Sequence, residues 1–234
     1  SYPVAQAAKW LVWGKFSNCG QTCVAPDYVL TTPEVAPRLA EEVRREVLSR
    51  YGDNPQSSPD YGRIVTERHT RRIAGLLDCG TVFLGGQVDL ADRYVAPTVL
   101  LDVSLDDPVM QQEIFGPVLP VVPVADHREA VDVIAARDKP LVVYAFTGRR
   151  DVRRDLLSGT SSGAAVFGSV VVQLVVNELP FGGVGASGFG AYHGESSVRT
   201  FSHDRAVLHK KRGLNLAALT WPPYTALKER LLRR

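Results

Sequence analysis

The chain has 234 residues, of which 45% are hydrophobic and 22% charged, with a formal net charge of +2. This composition argues against overall disorder, and the small charge gives no support for a nucleic-acid partner. Three cysteines are too few for a disulfide framework and suit a reducing compartment, so we expect a cytoplasmic protein. We expect neither a membrane-spanning helix nor a signal peptide, and we interpret the chain, which begins at Ser1, as a fragment or processed product.

The first half of the chain predicts alternating helices and strands. Gly20 ends the first helical pattern, and Thr32 followed by Pro33 is typical of a helix start. In chain order, the predicted elements are a helix over 7–16, a strand over 24–30, a helix from Thr32 to about Tyr51, a helix capped by Thr66 and ending near Gly80, and strands over 82–84 and 94–101.

The second half continues the same alternation. The predicted elements are a strand over 118–124, a helix capped by Asp126 and running through Ala136, a strand over 141–146 buried on both faces, and a helix over 151–158. Strands that alternate with helices predict an α/β fold with an open, mostly parallel twisted sheet and flanking helices.

Two later segments have distinctive compositions. The run 170–176 is rich in β-branched residues, and it fits either an internal strand or a strand that pairs with another subunit. The run 180–194 holds six glycines, so its backbone must turn sharply or approach a ligand.

Cys23 is the candidate nucleophile. It lies in the small, flexible run 18–26, between a helical pattern and an apolar strand, where a thiolate can reach a substrate; the alternative is a buried, inert cysteine. Cys19, four residues earlier, has three interpretations: a metal ligand, the partner in a reversible protective disulfide, or simply a small residue in a tight loop, which we favour. We expect Cys79 to be structural.

Three segments, in this order, resemble signatures of the aldehyde dehydrogenases, and the class 3 branch most closely. They are Asn18–Pro26, Glu113–Pro117 and Leu179–Gly185, supported by 24–28, 60–64, 96–98 and 190–203. The resemblance implies oxidation of aldehydes, medium-chain, long-chain or aromatic, to carboxylic acids in lipid metabolism. It also implies NAD or NADP as cofactor, a homodimer and no metal.

The resemblance also implies roles for four residues. Cys23 would attack the aldehyde and form a thiohemiacetal and then a thioester, with backbone N–H groups of its loop stabilising the oxyanion. Glu113 would accept hydrogen bonds from the nicotinamide ribose, and Phe115 would pack beside the nicotinamide. Phe181 would line the substrate channel. We expect His193 and His203 to be structural or interface residues.

The implied organisation is a catalytic α/β domain over 1–166, an oligomerisation strand within 167–179, a Gly-rich return over 180–210 and a C-terminal tail over 211–234. From the resemblance we also expect the cofactor-binding half of the family, with its oxyanion asparagine and general-base glutamate, to be absent from this chain. Gly168 and Gln173 depart from the family pattern, which puts local loop or interface geometry in doubt. The basic tail is expected to be solvated, with contact to an anionic membrane as the alternative.

Two rival functions remain open beside aldehyde oxidation. The first is an inert dimerisation module that keeps the catalytic fold without the cofactor half. The second is a cofactor-independent thiol esterase or acyl transferase that uses the same thioester chemistry.

Overall fold

The computed structural model describes residues 2–213 and 215–233. The chain divides into two units, Ser1–Phe201 and Ser202–Arg234. The helices of the first unit are α1 (Val4–Phe16), α2 (Ala36–Tyr51), α3 (Glu67–Ala74), α4 (His127–Ala135), α5 (Arg150–Gly159) and α6 (Gly194–Thr200). Its strands are β1 (Val29–Thr31), β2 (Thr81–Leu84), β3 (Val88–Asp89), β4 (Tyr94–Val95), β5 (Thr98–Leu101), β6 (Val118–Pro123), β7 (Val142–Ala145) and β8 (Ala164–Phe167).

The main sheet has the strand order β1-β6-β5-β2. β6 runs parallel to β1, with Val29 opposite Val121, and parallel to β5, with Thr98 opposite Val118. Only the edge strand β2 is antiparallel. The predicted α/β class, with a mostly parallel sheet and flanking helices, is therefore confirmed.

The core lies against this sheet because β6 is apolar and buried along nearly its whole length. Leu100 and Leu119 in the neighbouring central strands are almost completely shielded from solvent. Helices α1 and α2 add Val12, Val43 and Val47 to the same cluster. Burial of this contiguous apolar surface fixes α1, and therefore the loop that follows it, relative to the sheet.

Two helix starts are confirmed in atomic detail. The Thr66 side chain accepts a hydrogen bond from the backbone N–H of His69 at the start of α3. The Asp126 side chain accepts from the N–H groups of Arg128 and Glu129 at the start of α4. These bonds satisfy N–H groups that have no partner within the helix.

Several predicted boundaries are wrong by a few residues. Strand β1 begins at Val29 rather than at position 24, because the N–H of Ala25 bonds back to Thr22 in a turn and Pro26 has no N–H to offer a neighbouring strand. The helix expected from Thr32 begins at Ala36, since the preceding residues form a turn on the Thr32 carbonyl.

Three further elements differ from the prediction. The helix α3 ends at Ala74 instead of near Gly80. The strand expected over 94–101 is split into β4 and β5 around Ala96 and Pro97. Strand β7 is only half buried instead of being covered on both faces, because it pairs with β8 in a separate two-stranded sheet.

The β-branched run 170–176 is not a strand in this chain. Val172–Val175 form a 3₁₀ helix, and Val171 before it has a φ of 65°, which breaks an extended backbone. A strand needs a partner whose N–H and C=O groups complete the ladder, and the described sheets place none beside this run. Its pairing with another subunit stays a prediction.

The second unit contains α7 (Ala226–Leu232), whose N-terminus is capped by the Thr225 side chain. The tail expected over 211–234 is described except for Leu214 and Arg234, which lie outside the described residues together with Ser1. Among the described helices, none has the length and apolar character needed to cross a bilayer.

Truncation of Leu100 to alanine should lower the free energy of unfolding by about 2–5 kcal/mol, because the removed side chain is fully buried and leaves a cavity. Urea denaturation followed by circular dichroism measures this loss. The control is Leu157→Ala on α5, where the side chain is 60% exposed and the expected loss is below about 0.5 kcal/mol. Equal losses in the two variants would contradict the assignment of Leu100 to the core.

Candidate active site

The candidate nucleophile Cys23 lies in the loop between α1 and β1, hereafter the nucleophile loop (residues 17–28). After α1 the chain forms a short 3₁₀ turn, Ser17–Gly20, in which Asn18 and Cys19 adopt left-handed φ values of 50° and 53°. Non-glycine residues rarely adopt this conformation, so surrounding contacts must hold the turn in place.

Gly20 provides one of those contacts, because its backbone lies directly against that of Gly116. A Cβ atom added at Gly20 would lie 2.3 Å from the Gly116 carbonyl oxygen, and the φ of Gly20 is +71°. Only glycine meets both conditions without strain. The segment 113–117, hereafter the Glu113 loop, is thus packed backbone to backbone on the nucleophile loop.

The Gln21 side chain forms hydrogen bonds that join the nucleophile loop to the segment before α3. Its side-chain amide donates to the carbonyls of Asn18 and Arg63, each at 3.0 Å. Its carbonyl oxygen accepts from the N–H of Val65 at 2.9 Å. The segment ahead of α3 and the turn before Cys23 are therefore joined by one side chain whose donor and acceptor are both used.

The three thiols differ sharply in their surroundings. Cys23 is exposed, whereas Cys19 and Cys79 are buried, and all three are free. Burial raises the pKa of Cys19 to about 11, although Tyr61 and Arg63 partly oppose the effect. Only Cys23 combines an accessible sulfur with a loop held on both sides, which is the arrangement that a thiol nucleophile requires.

Cys19 packs inward, so that a Cβ atom added at Gly62 would lie 3.3 Å from its sulfur. This position fits the interpretation of Cys19 as a small residue in a tight loop. Within the described residues, no group of three or more His, Cys, Asp or Glu side chains is arranged to hold a metal ion.

A fully buried lysine lies beneath the two loops. Lys15, at the end of α1, has its ammonium nitrogen 3.7 Å from a carboxylate oxygen of Asp27. Burial lowers the pKa of Lys15, and the negative charges of Asp27 and Glu113 oppose that shift. The same Asp27 oxygen accepts from the N–H of Ile114 at 3.2 Å. One carboxylate therefore ties the buried cation to the Glu113 loop.

Glu113 has an exposed side chain at the edge of this charge cluster. Desolvation raises its pKa, and the neighbouring negative charge of Asp27 adds to the rise, while Lys15 and Arg72 oppose it. Arg72 also donates to the backbone carbonyls of Glu113 and Ile114, which fixes the loop from the side of α3. A carboxylate held this way can accept hydrogen bonds from two adjacent hydroxyl groups.

Phe115 follows with a left-handed φ of 46°, and its side chain is 42% exposed. An aromatic ring presented on a strained backbone offers a flat apolar face to a ligand. Glu113 and Phe115 are therefore an exposed carboxylate and an exposed aromatic ring on one short loop.

Phe181 lies in a different local cluster. It exchanges two backbone hydrogen bonds of 2.9 Å with Tyr192. Its ring lies 5.3 Å from that of Tyr192 and 5.9 Å from that of His193, centroid to centroid. These contacts support a packing role for His193, and the placement of Phe181 in a substrate channel stays a prediction.

The sequence reasoning missed Lys15, Gln21 and the structural role of Asp27. Lys15 follows Leu11 by four residues on the apolar face of a helix, which is a signal of a buried charge that needs a partner. Nothing in the pattern around Gln21 indicates that its amide reaches residues 63 and 65.

Comparison with known proteins places the chain in context. A family model described as "Aldehyde dehydrogenase family" matches residues 2–207. Aldehyde dehydrogenase family 3 member B1 of Rattus norvegicus is 47% identical over 226 residues, covering 96% of this chain and 48% of that protein. A second Rattus norvegicus protein, "Aldehyde dehydrogenase, dimeric NADP-preferring", is 47% identical over 204 residues, covering 87% of this chain and 45% of that protein.

A solved structure of Staphylococcus aureus AldH in a substrate-bound state has a TM-score of 0.86 and 36% sequence identity, covering 100% of this chain and 51% of that one. The chain spans about half the length of the curated relatives that it matches. The similarity therefore extends through both the nucleophile loop and the Glu113 loop.

Substitution of Gly20 by alanine should destabilise the protein more than the same change at Gly52. Both glycines have positive φ, and a backbone of this kind costs alanine about 1–3 kcal/mol. Only the Cβ at position 20 also meets backbone atoms, whereas position 52 is open. Chemical denaturation gives the two losses. The two loops would not be packed as described if Gly20→Ala were no worse than Gly52→Ala.

Limited treatment with iodoacetamide at about pH 8 should label Cys23 alone. At that pH roughly a thousandth of a thiol with the pKa of Cys19 is ionised, and the sulfur is also buried. Peptide mapping by mass spectrometry identifies the labelled site, and labelling in denaturant provides the control in which all three thiols react. Early labelling of Cys19 or Cys79 in the folded protein would refute the assignment.

Proposed function

Because the chain belongs to the aldehyde dehydrogenase family, we propose that it carries the catalytic half of an NAD- or NADP-dependent aldehyde dehydrogenase. The observation that carries this proposal is the packing of the accessible Cys23 loop on the Glu113 loop through Gly20 and Gly116. That contact supports the proposal because it holds the loop that carries the exposed thiol against the loop that carries Glu113 and Phe115.

In the proposed reaction, the Cys23 thiolate adds to the carbonyl carbon of an aldehyde and forms a tetrahedral thiohemiacetal. Backbone N–H groups of the nucleophile loop stabilise the resulting oxyanion. A nicotinamide cofactor, when bound, would supply the two-electron oxidant that turns this carbon from the aldehyde to the acid level. Water then cleaves the Cys23 thioester, which releases the carboxylic acid and restores the thiolate.

The residues of the Glu113 loop would hold the cofactor by its nicotinamide end. The Glu113 carboxylate accepts from the ribose hydroxyls, and the exposed Phe115 ring packs beside the flat nicotinamide. The fixed hydrogen bonds of Arg72 and Asp27 to this loop keep both groups in position. The proposal covers either NAD or NADP, because Glu113 and Phe115 would contact the nicotinamide riboside that the two cofactors share.

We propose a small-molecule aldehyde, medium-chain, long-chain or aromatic, as substrate, with Phe181 as part of its channel. From the family resemblance we also propose a homodimer that acts in lipid metabolism, and from the low cysteine count we propose a cytoplasmic location. The dimer has support from the Rattus norvegicus relative that is named as dimeric and NADP-preferring.

A second candidate function is an inert module that retains the catalytic fold. It is favoured by the extent of the match, because the chain spans only 48% of the length of the rat relative. A cofactor-independent esterase that uses the Cys23 thioester is the remaining alternative.

Incubation of the chain with an aliphatic aldehyde and NAD or NADP should raise the absorbance of reduced nicotinamide. Cys23→Ala should abolish this signal because the covalent intermediate cannot form, whereas the matched Cys19→Ala should retain it. Ester hydrolysis without cofactor, lost only in Cys23→Ala, would identify the esterase. Absence of both activities in a folded wild-type chain would favour the inert module, and equal loss in both variants would remove Cys23 as the nucleophile.

A further inference from the structure

Tyr144, on β7, reaches the nucleophile loop from a separate sheet. Its hydroxyl donates to the carbonyl of Val24, the residue directly after Cys23, at 2.8 Å. The same oxygen accepts from the N–H of Val171 at 3.2 Å and from the side-chain amide of Gln173 at 3.1 Å. One half-buried hydroxyl therefore joins the nucleophile loop to the turn that opens the run 170–176.

The hydrogen-bonding capacity of this hydroxyl is completely used. A tyrosine hydroxyl has one proton and two acceptor lone pairs, and here the proton goes to Val24 while both lone pairs face donors. Because the Val24 carbonyl can only accept and the Val171 N–H can only donate, the hydroxyl proton is committed to Val24 and Gln173 can reach the hydroxyl only as a donor.

The orientation of the Gln173 side-chain amide follows from the hydrogen bond between Tyr144 and Val24. Its amide nitrogen faces Tyr144, and its buried side-chain oxygen has no hydrogen-bond partner among the residues that the structure describes. Flipping the amide would aim this oxygen at a hydroxyl whose only proton is already committed to Val24. The orientation of Gln173 is therefore imposed by the nucleophile loop, even though it leaves a buried acceptor unsatisfied.

Cys23 is close enough for its charge to act on the same hydroxyl. Burial raises the pKa of Tyr144, the hydrogen bonds from Gln173 and Val171 oppose the rise, and the negative charge of a Cys23 thiolate adds to it. The hydroxyl thus lies in the electrostatic neighbourhood of the nucleophile as well as on its backbone.

We propose that Tyr144 is a positioning residue for Cys23, and that its hydroxyl couples the conformation of the 170–176 run to the placement of the thiol. Any contact that shifts Val171 or Gln173 then acts on the nucleophile loop through this single oxygen. This inference rests on the proposed function only in naming Cys23 the nucleophile, and its test requires no turnover.

The first test is Tyr144→Phe, with Tyr2→Phe as the matched control. The Tyr2 hydroxyl donates to the Gly168 carbonyl at 3.0 Å, so the control also loses a tyrosine hydrogen bond, but none to the nucleophile loop. In Tyr144→Phe, backbone hydrogen exchange measured by mass spectrometry should accelerate at least ~5-fold in two peptides, one that covers residues 21–26 and one that covers residues 170–176. Acceleration in only one of the two peptides, or the same pattern in Tyr2→Phe, would overturn the coupling.

The second test is a double-mutant cycle on the rate of Cys23 alkylation by iodoacetamide. Gln173→Ala should change this rate by a factor of ~3 or more in the wild-type background and by less than ~1.5 in the Tyr144→Phe background. A purely structural role for Tyr144 predicts the same change in both backgrounds, which would refute the proposal. Circular dichroism of each variant shows that the compared proteins are folded, and Gln173→Ala alone remains informative if Tyr144→Phe does not fold.

Discussion

The close approach of Gly20 to Gly116 is the constraint on which the candidate site depends. It brings together two loops that are far apart in the chain and that carry different chemistry, a thiol on one and a carboxylate with an aromatic ring on the other. A side chain at position 20 would force the backbones apart, because the obstacle is a carbonyl oxygen and not a flexible side chain. The main sheet makes this contact possible, since β1 follows the nucleophile loop, β6 follows the Glu113 loop, and the two strands are parallel neighbours.

The buried Lys15 also holds the Glu113 loop in place, but through charge pairing instead of close backbone packing. A lysine removed from water is destabilising unless a counter-charge lies close to it, and Asp27 provides that charge. Because Asp27 also accepts from the N–H of Ile114, the pairing that stabilises the cation also fixes the Glu113 loop. Gln21 and Tyr144 hold the nucleophile loop from two other directions. The exposed thiol therefore sits on a backbone that is restrained on several sides, which is the preorganisation that covalent catalysis requires.

Much of the architecture could be predicted from sequence, because the apolar periodicity and the capping residues Thr66 and Asp126 are local signals. The exposed position of Cys23 and the tight turn at Cys19 also agree with the local pattern. The errors arise where tertiary contacts override local preference. The run 170–176 has high strand propensity, yet among the described residues no strand of the same chain pairs with it, and Val172–Val175 form a 3₁₀ helix. The hydrogen bonds of Gln21 and Tyr144 join residues distant in sequence, so no window of neighbouring residues could reveal them.

The long chain separation between Gly20 and Gly116 bears on the order of events during synthesis. The cysteine emerges from the ribosome before the segment that completes its surroundings, and the left-handed turn beneath it cannot persist without that segment. A growing chain therefore carries an ordinary thiol on a mobile loop. The restraint on the nucleophile loop is complete only after β6 has joined the sheet, so the surroundings of Cys23 are finished by a segment that is synthesised about ninety residues later.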